Sequence, residues 1–223
     1  MKFFVPFLAL LLISCGSART TDKLLAEVWQ SDQDVRHQML ALTKAFEAEQ
    51  RLELLDSMVV AVERMEAVDS RNMAIVDSLL QRGVPRGLTA QSYKTIWIVI
   101  DHAPLEKQVQ YLPLVEQMAS DGVVGRDEYA ILFDRVLMGR NKPQRYGSQS
   151  VQFGEAGQLQ LYLWPVESPD LLDSLRASVG LSPMSEYIQL LSDTAGSEVV
   201  FDPAITVEQL VAMRQRATTQ ACE

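Results

Sequence analysis

The residues best placed to do chemistry in this chain are an Asp–Arg pair set where the pattern around it is apolar. Asp134 has Ala130 and Ile131 one helical turn before it and Leu137 and Met138 one turn after. Arg135 stands in the same relation to Ile131, Leu132 and Met138. Residues three and four apart share a helix face, so both charges project from apolar surface. There a charge is costly unless it is paired and hydrogen-bonded. An ion-pair network holding helices in register leaves this pattern, and so does a site aimed at a ligand.

His102 is placed comparably, in the last turn of its own helical segment with Ile98 and Val99 one turn earlier. A helix C-terminus and the neighbouring Asp101 both favour the imidazolium. Downstream, Gln144-Arg145-Tyr146-Gly147-Ser148-Gln149 is a dense run of hydrogen-bonding side chains, with Gly147 suited to a positive φ. Glu167 follows Trp164-Pro165. Two roles suit these residues. His102 can act as general acid or base, oriented by Asp134 or Glu167, with Arg135 stabilising negative charge. Alternatively, Arg135, Gln144, Tyr146 and Gln149 can orient a small polar or anionic ligand beside apolar surface. Ser148 lacks a nucleophile-elbow motif around it. The chain has two histidines and two cysteines, far apart, so no metal site and no cofactor is expected.

The elements that must position these groups are mostly helical. Val35, Met39, Leu42 and Phe46, then Leu55, Val59 and Val62, fall on one stripe and predict a long amphipathic helix over residues 35–68, packed on its own chain. A helix carrying Met73, Val76 and Leu80 stops at Gly83, ahead of Pro85. Thr89 caps the next, which Pro104 ends. Pro113 either lies inside the following helix or starts it. Another helix runs from about Asp127 to Met138. The period then changes to two: Val151 and Phe153, and Leu159, Leu161 and Leu163, flank a Gly154–Gly157 turn, predicting a β-hairpin. Ser168-Pro169 and Ser182-Pro183 open two further helices, and Thr206 with Gln209 forms a capping box for a last one. The fold class is mainly α (α+β), a helical domain with one β-hairpin.

At the N-terminus, Lys2 precedes an apolar run from Phe3 that closes at Leu12-Ile13-Ser14-Cys15. This is the layout of a secretory signal, and its end resembles a bacterial lipobox, in which cleavage before the cysteine is followed by its lipidation. Cys15 is therefore the expected lipidation site, residues 1–15 the signal and residues 16–34 a tether with a short helical turn. Gly16, in place of an aspartate, favours an outer-membrane address by analogy. With Cys15 lipidated, Cys222 has no partner for an internal disulfide. The remaining stretch of about 200 residues suffices for one core. A formal net charge of −9 and a pI of about 4.8 argue against a nucleic-acid partner, which would need a basic face.

One ordered set of residues carries a family resemblance. Gly83-Val84-Pro85, Trp97 with Asp101-His102-Ala103, Gln108, Leu112-Pro113-Leu114, Asp134-Arg135-Val136, the run from Gln144 to Gln149, Pro165-Val166-Glu167, Arg176 and Gly180-Leu181 resemble a bacterial family, domain of unknown function 6624. The resemblance spans residues 69–191 and leaves residues 192–223 as a C-terminal extension with a short helix. It departs from the family pattern at Asp101 (glutamine there), Ser148 (threonine) and Ser168 (aspartate). The resemblance implies that His102, Asp134, Arg135, Gln144, Tyr146, Gln149 and Glu167 belong to the family's polar set. It implies no activity.

The expected function is accordingly that of a lipid-anchored envelope protein binding a small-molecule or cell-wall ligand, held to the membrane by its N-terminal lipid. The alternatives are a hydrolase built on His102, and a structural or assembly protein that docks a partner through the helix at 35–68.

Overall fold

A computed structural model of the chain describes residues 8–49, 51–154, 160–196 and 198–220, and their side chains apart from those of residues 8–17, 47, 195 and 218–220. Residues 1–7 of the expected signal, the Cys15 side chain, most of the hairpin turn and Cys222 thus lie outside the described residues. The chain divides into two compact units, Met1–Pro104 and Leu105–Glu223.

The first unit is built from α1 (Leu8–Glu49), α2 (Glu53–Leu80) and α3 (Ala90–His102). Two expectations are corrected here. Residues 16–34 are not a tether but part of α1, because Leu25, Val28 and Val35 recur at helical spacing and are fully buried. The single helix expected over 35–68 is two helices, with α1 and α2 running antiparallel. Ser31 and the Val28 carbonyl both meet Asn72, Arg36 meets Asp69, and Arg64 reaches back to Gln38. The core between the three helices holds Leu25, Val28, Val76, Ile96 and Ile100.

Local signals delimit α3 as expected. The Thr89 hydroxyl oxygen accepts from the Ser92 amide at 3.2 Å. Asp22 of α1 reinforces the cap, accepting from the Thr89 amide at 3.0 Å and the Ser92 hydroxyl at 2.6 Å. Ala103, extended ahead of Pro104, ends the helix. Gly83 closes α2 with φ +86°.

The second unit begins with α4 (Leu105–Ser120), which continues through Pro113 instead of starting there. It packs against α5 (Arg126–Gly139), whose first turn is capped by the Glu128 carboxylate accepting from the Gly125 amide at 2.8 Å. The hairpin follows, β1 (Ser150–Phe153) antiparallel to β2 (Gln160–Leu163), with Ser150 opposite Leu163. A third strand, β3 (Val199–Val200), pairs parallel to β2. It carries no sequence signal, because two residues are too few to alternate. A 3-10 turn at Pro169–Leu171 leads into α6 (Leu172–Ser178), then come α7 (Met184–Ala195) and α8 (Val207–Gln220). The Thr206–Gln209 capping box forms as expected, with bonds of 2.8 and 3.3 Å. The sheet is covered on two sides: Phe153 and Trp164 pack with Val207 and Leu210 of α8, and Leu163 packs with Leu172 of α6 and Met184 of α7.

Candidate functional site

The 145–149 segment is held in shape from both sides of its backbone. Asp134, 0% exposed on α5, accepts from the amides of Arg145 (2.8 Å), Tyr146 (3.1 Å to each oxygen) and Ser148 (3.0 Å), and from the Ser148 hydroxyl (3.0 Å). Burial pushes its carboxyl pKa up, against the lowering pull of the Tyr146, Arg145 and Ser148 amides. Every one of these contacts donates to it, which suits the ionised form. Both oxygens are thus committed to the loop, so Asp134 acts on its geometry and is not disposed to orient a histidine.

The carbonyl side of the loop is held by Arg176 of α6, only 1% exposed. Its Nη1 donates to the Tyr146 carbonyl at 2.8 Å and the Gly147 carbonyl at 3.1 Å, and its Nε donates to the Ser182 carbonyl at 2.6 Å. The guanidinium carbon sits 4.7 Å from the Tyr187 ring centroid, and the Tyr187 hydroxyl donates to the Ser148 carbonyl at 2.8 Å. Burial pulls the Arg176 pKa down, opposed by the fields of Tyr187, Asp173 and Asp134. Gly147 has φ +67°, and a Cβ there would lie 3.3 Å from both Leu172 Cδ1 and Met184 Sδ.

Gln144, fully buried, completes the frame at the hairpin base. Its amide donates to the Gln149 and Trp164 carbonyls, and its Oε1 accepts from the Gln149 amide at 2.8 Å. Tyr146 is also buried, edge-on to Phe133. These two expected ligand residues are spent on the scaffold. Glu167 is exposed, and its amide donates to the Gln144 carbonyl.

Arg135 and Gln149, by contrast, share a cavity of about 360 Å³. Its polar wall is Arg135, Ser148, Gln149, Ser150, Arg176 and Tyr187; Ile131 and Leu181 supply apolar surface. Inside it Gln149 Nε2 donates to the Ile131 carbonyl and the Ser148 hydroxyl. A larger hollow of about 580 Å³ runs along α8 past Ile205, Met213 and Arg216. No buried polar group lines it, so the smaller cavity is the better candidate site.

His102 belongs to the first unit, and its described partner there is neither Asp134 nor Glu167. Its Nδ1 lies 2.9 Å from Asp32 Oδ1, and Asp32 is 1% exposed against 21% for the imidazole. Arg36 bridges Asp32 and Asp69, with an ion-pair distance of 3.0 Å to each. Asp32, Asp69 and His102 bring three metal-capable ligand atoms within 4.8 Å of one another, but the Arg36 guanidinium already supplies the cation between the two carboxylates.

Sequence reasoning overlooked Asp32 and left Arg176 outside the site. Both carried the signal that singled out Asp134. Asp32 stands between Val28 and Val35 at helical spacing, and Arg176 between Leu172 and Val179.

The chain belongs to a family of unknown function, DUF6624, which it matches over residues 21–200. The family domain thus begins within α1, well before the expected residue 69, and reaches β3. Neither the curated proteins nor the solved structures include a match to the chain.

Proposed function

We propose that this DUF6624 member is a lipid-anchored protein of the bacterial cell envelope that binds a small polar or anionic ligand in the cavity beside Arg135 and Arg176. The observation that carries the binding reading is the buried guanidinium of Arg176 lining a cavity with Arg135, Gln149 and two serines, beside apolar Ile131 and Leu181. Convergent polar groups beside a smaller apolar patch can fix the orientation of a ligand, and the volume falls at the small end of the range for ligand pockets. The test is thermal stabilisation of the chain by a panel of envelope fragments: sugars, short peptides and small organic acids. Stabilisation by one class, lost in Arg135→Ala, supports the reading; no stabilisation by any class refutes it.

The anchoring rests on Lys2, the apolar run and Leu12-Ile13-Ser14-Cys15. Among the described residues no helix is long and apolar enough to cross a membrane. Wild-type chain is expected in the detergent phase on phase partition and Cys15→Ala in the aqueous phase after export; equal partition of the two would rule out the lipid.

A second reading, acid–base chemistry at His102, is favoured by one observation: a buried carboxylate on its Nδ1. In a neutral imidazole such a bond places the proton on Nδ1 and leaves Nε2 as the acceptor. Here Asp32 takes the orienting role expected of Asp134 or Glu167. Hydrolysis of an envelope ester or amide that survives Asp134→Asn but falls in both His102→Gln and Asp32→Asn would establish it. Full hydrolysis by folded His102→Gln would end it.

A further inference from the structure

Resting on the cavity reading above, we propose that the ligand is a monocarboxylate on a small apolar body, its carboxylate taken by Arg176 and Arg135. Arg176 is 1% exposed, yet it makes no ion pair among the described residues. Its three bonds go to neutral carbonyls from Nε and Nη1, and Nη2 has no described acceptor. A buried guanidinium whose direct contacts are neutral carbonyls and one aromatic face keeps a charge with no ion-pair partner at its side, and a carboxylate oxygen is the acceptor that suits its spare Nη2.

The two carboxylates whose fields reach this guanidinium, Asp173 and Asp134, form no ion pair with it among the described residues. Asp173 Oδ1 accepts from the Met184 amide at 2.6 Å, and Asp134 is filled by the 145–148 loop. No carboxylate lines the cavity. Ser150 lines it with a hydroxyl that has no described partner and is free to donate. Tyr187 covers one face of the Arg176 guanidinium, and with Nε and Nη1 spent on carbonyls its Nη2 is left to donate to one carboxylate oxygen while Arg135 takes the other.

The remaining wall decides the rest of the ligand. Ile131 and Leu181 offer no donor, so the part of the ligand against them is apolar. A phosphate, with oxygens on every side, would set unpaired oxygens against that wall. A carboxylate directs both oxygens one way and its hydrocarbon the other.

Titration of the full chain with butyrate, with butyramide (its neutral counterpart of similar shape) and with inorganic phosphate tests the assignment by ligand-observed NMR. Butyrate is expected to bind in the millimolar range suited to so small a ligand, about tenfold or more tighter than butyramide, and to weaken about tenfold in Arg135→Gln. The ligand comparison needs no variant, so a folding defect in Arg135→Gln cannot obscure it. Equal binding of butyrate and butyramide overturns the carboxylate assignment while leaving a polar-ligand cavity intact. Phosphate binding in preference to butyrate overturns it in favour of an inorganic anion. If none of the three binds and the wider panel also fails, the cavity reading falls with it.

Discussion

Asp134 and Arg176 grip the same loop by opposite polarities: the carboxylate takes the amides of residues 145, 146 and 148, and the guanidinium takes the carbonyls of Tyr146 and Gly147. Neither is spent on an ion pair with the other among the described residues. The loop's backbone lies between them, and the loop in turn sets Ser148 and Gln149 on the cavity wall.

Replacing Asp134 by Asn therefore loses more than a charge. The new amide group must face N–H donors that it cannot accept from, leaving at least one buried amide unsatisfied at a cost of about 1–3 kcal/mol. Urea unfolding is expected to show a loss of about that size, with ligand binding weakened in parallel. A wild-type midpoint in Asp134→Asn would contradict the clasp.

Gly147→Ala is expected to cost about 1–2 kcal/mol from the left-handed backbone alone. Contact with Leu172 and Met184 at 3.3 Å adds to it, because both must yield. The same substitution at Gly180, also at positive φ (+84°) but with open space around its Cβ, is expected to cost less. Comparing the two melting temperatures separates backbone strain from crowding.

A chain beginning at residue 35 removes Leu25, Val28 and Asp32 from the first unit. Two fully buried aliphatic side chains represent about 3–6 kcal/mol of burial, against a typical total stability of about 5–15 kcal/mol. Circular dichroism of that truncated chain is expected to show lost cooperativity. A cooperative melt at the wild-type temperature would restore residues 16–34 to the role of a tether.

Asp22 supplies a pH-dependent prediction. The Ser92 hydroxyl, then the Thr89 amide, hold its carboxyl below the ordinary 3.8. A folded-state pKa below the unfolded one means stability that is present above the unfolded value and lost as pH falls through the folded one. Wild type should therefore melt above Asp22→Ala at neutral pH, and the gap should narrow as pH falls below 3.8. A gap that persists unchanged in acid would assign the effect to packing.

Residue order alone was enough to place the caps and stops, because each is made within one turn of chain: Thr89 on Ser92, Gly83 after α2, Pro104 after α3, Thr206 with Gln209. The two-residue alternation gave away β1 and β2 for the same reason. Charged residues on apolar stripes were legible as needing partners, since burial cost depends on the residue and its near neighbours.

The identity of those partners was not legible. Asp32 meets His102 across 70 residues and Arg176 meets Tyr146 across 30, and no local pattern encodes a pairing at such separation. By itself the sequence determined a mainly helical chain, the polar residues that had to be satisfied and the lipobox-like Leu12-Ile13-Ser14-Cys15. Only the tertiary structure decided that Asp134, Gln144 and Tyr146 build the loop while Arg135, Gln149 and Arg176 line the cavity. Hydrogen-bond partners are chosen by distance in the folded chain, and that distance exists only once the helices have packed.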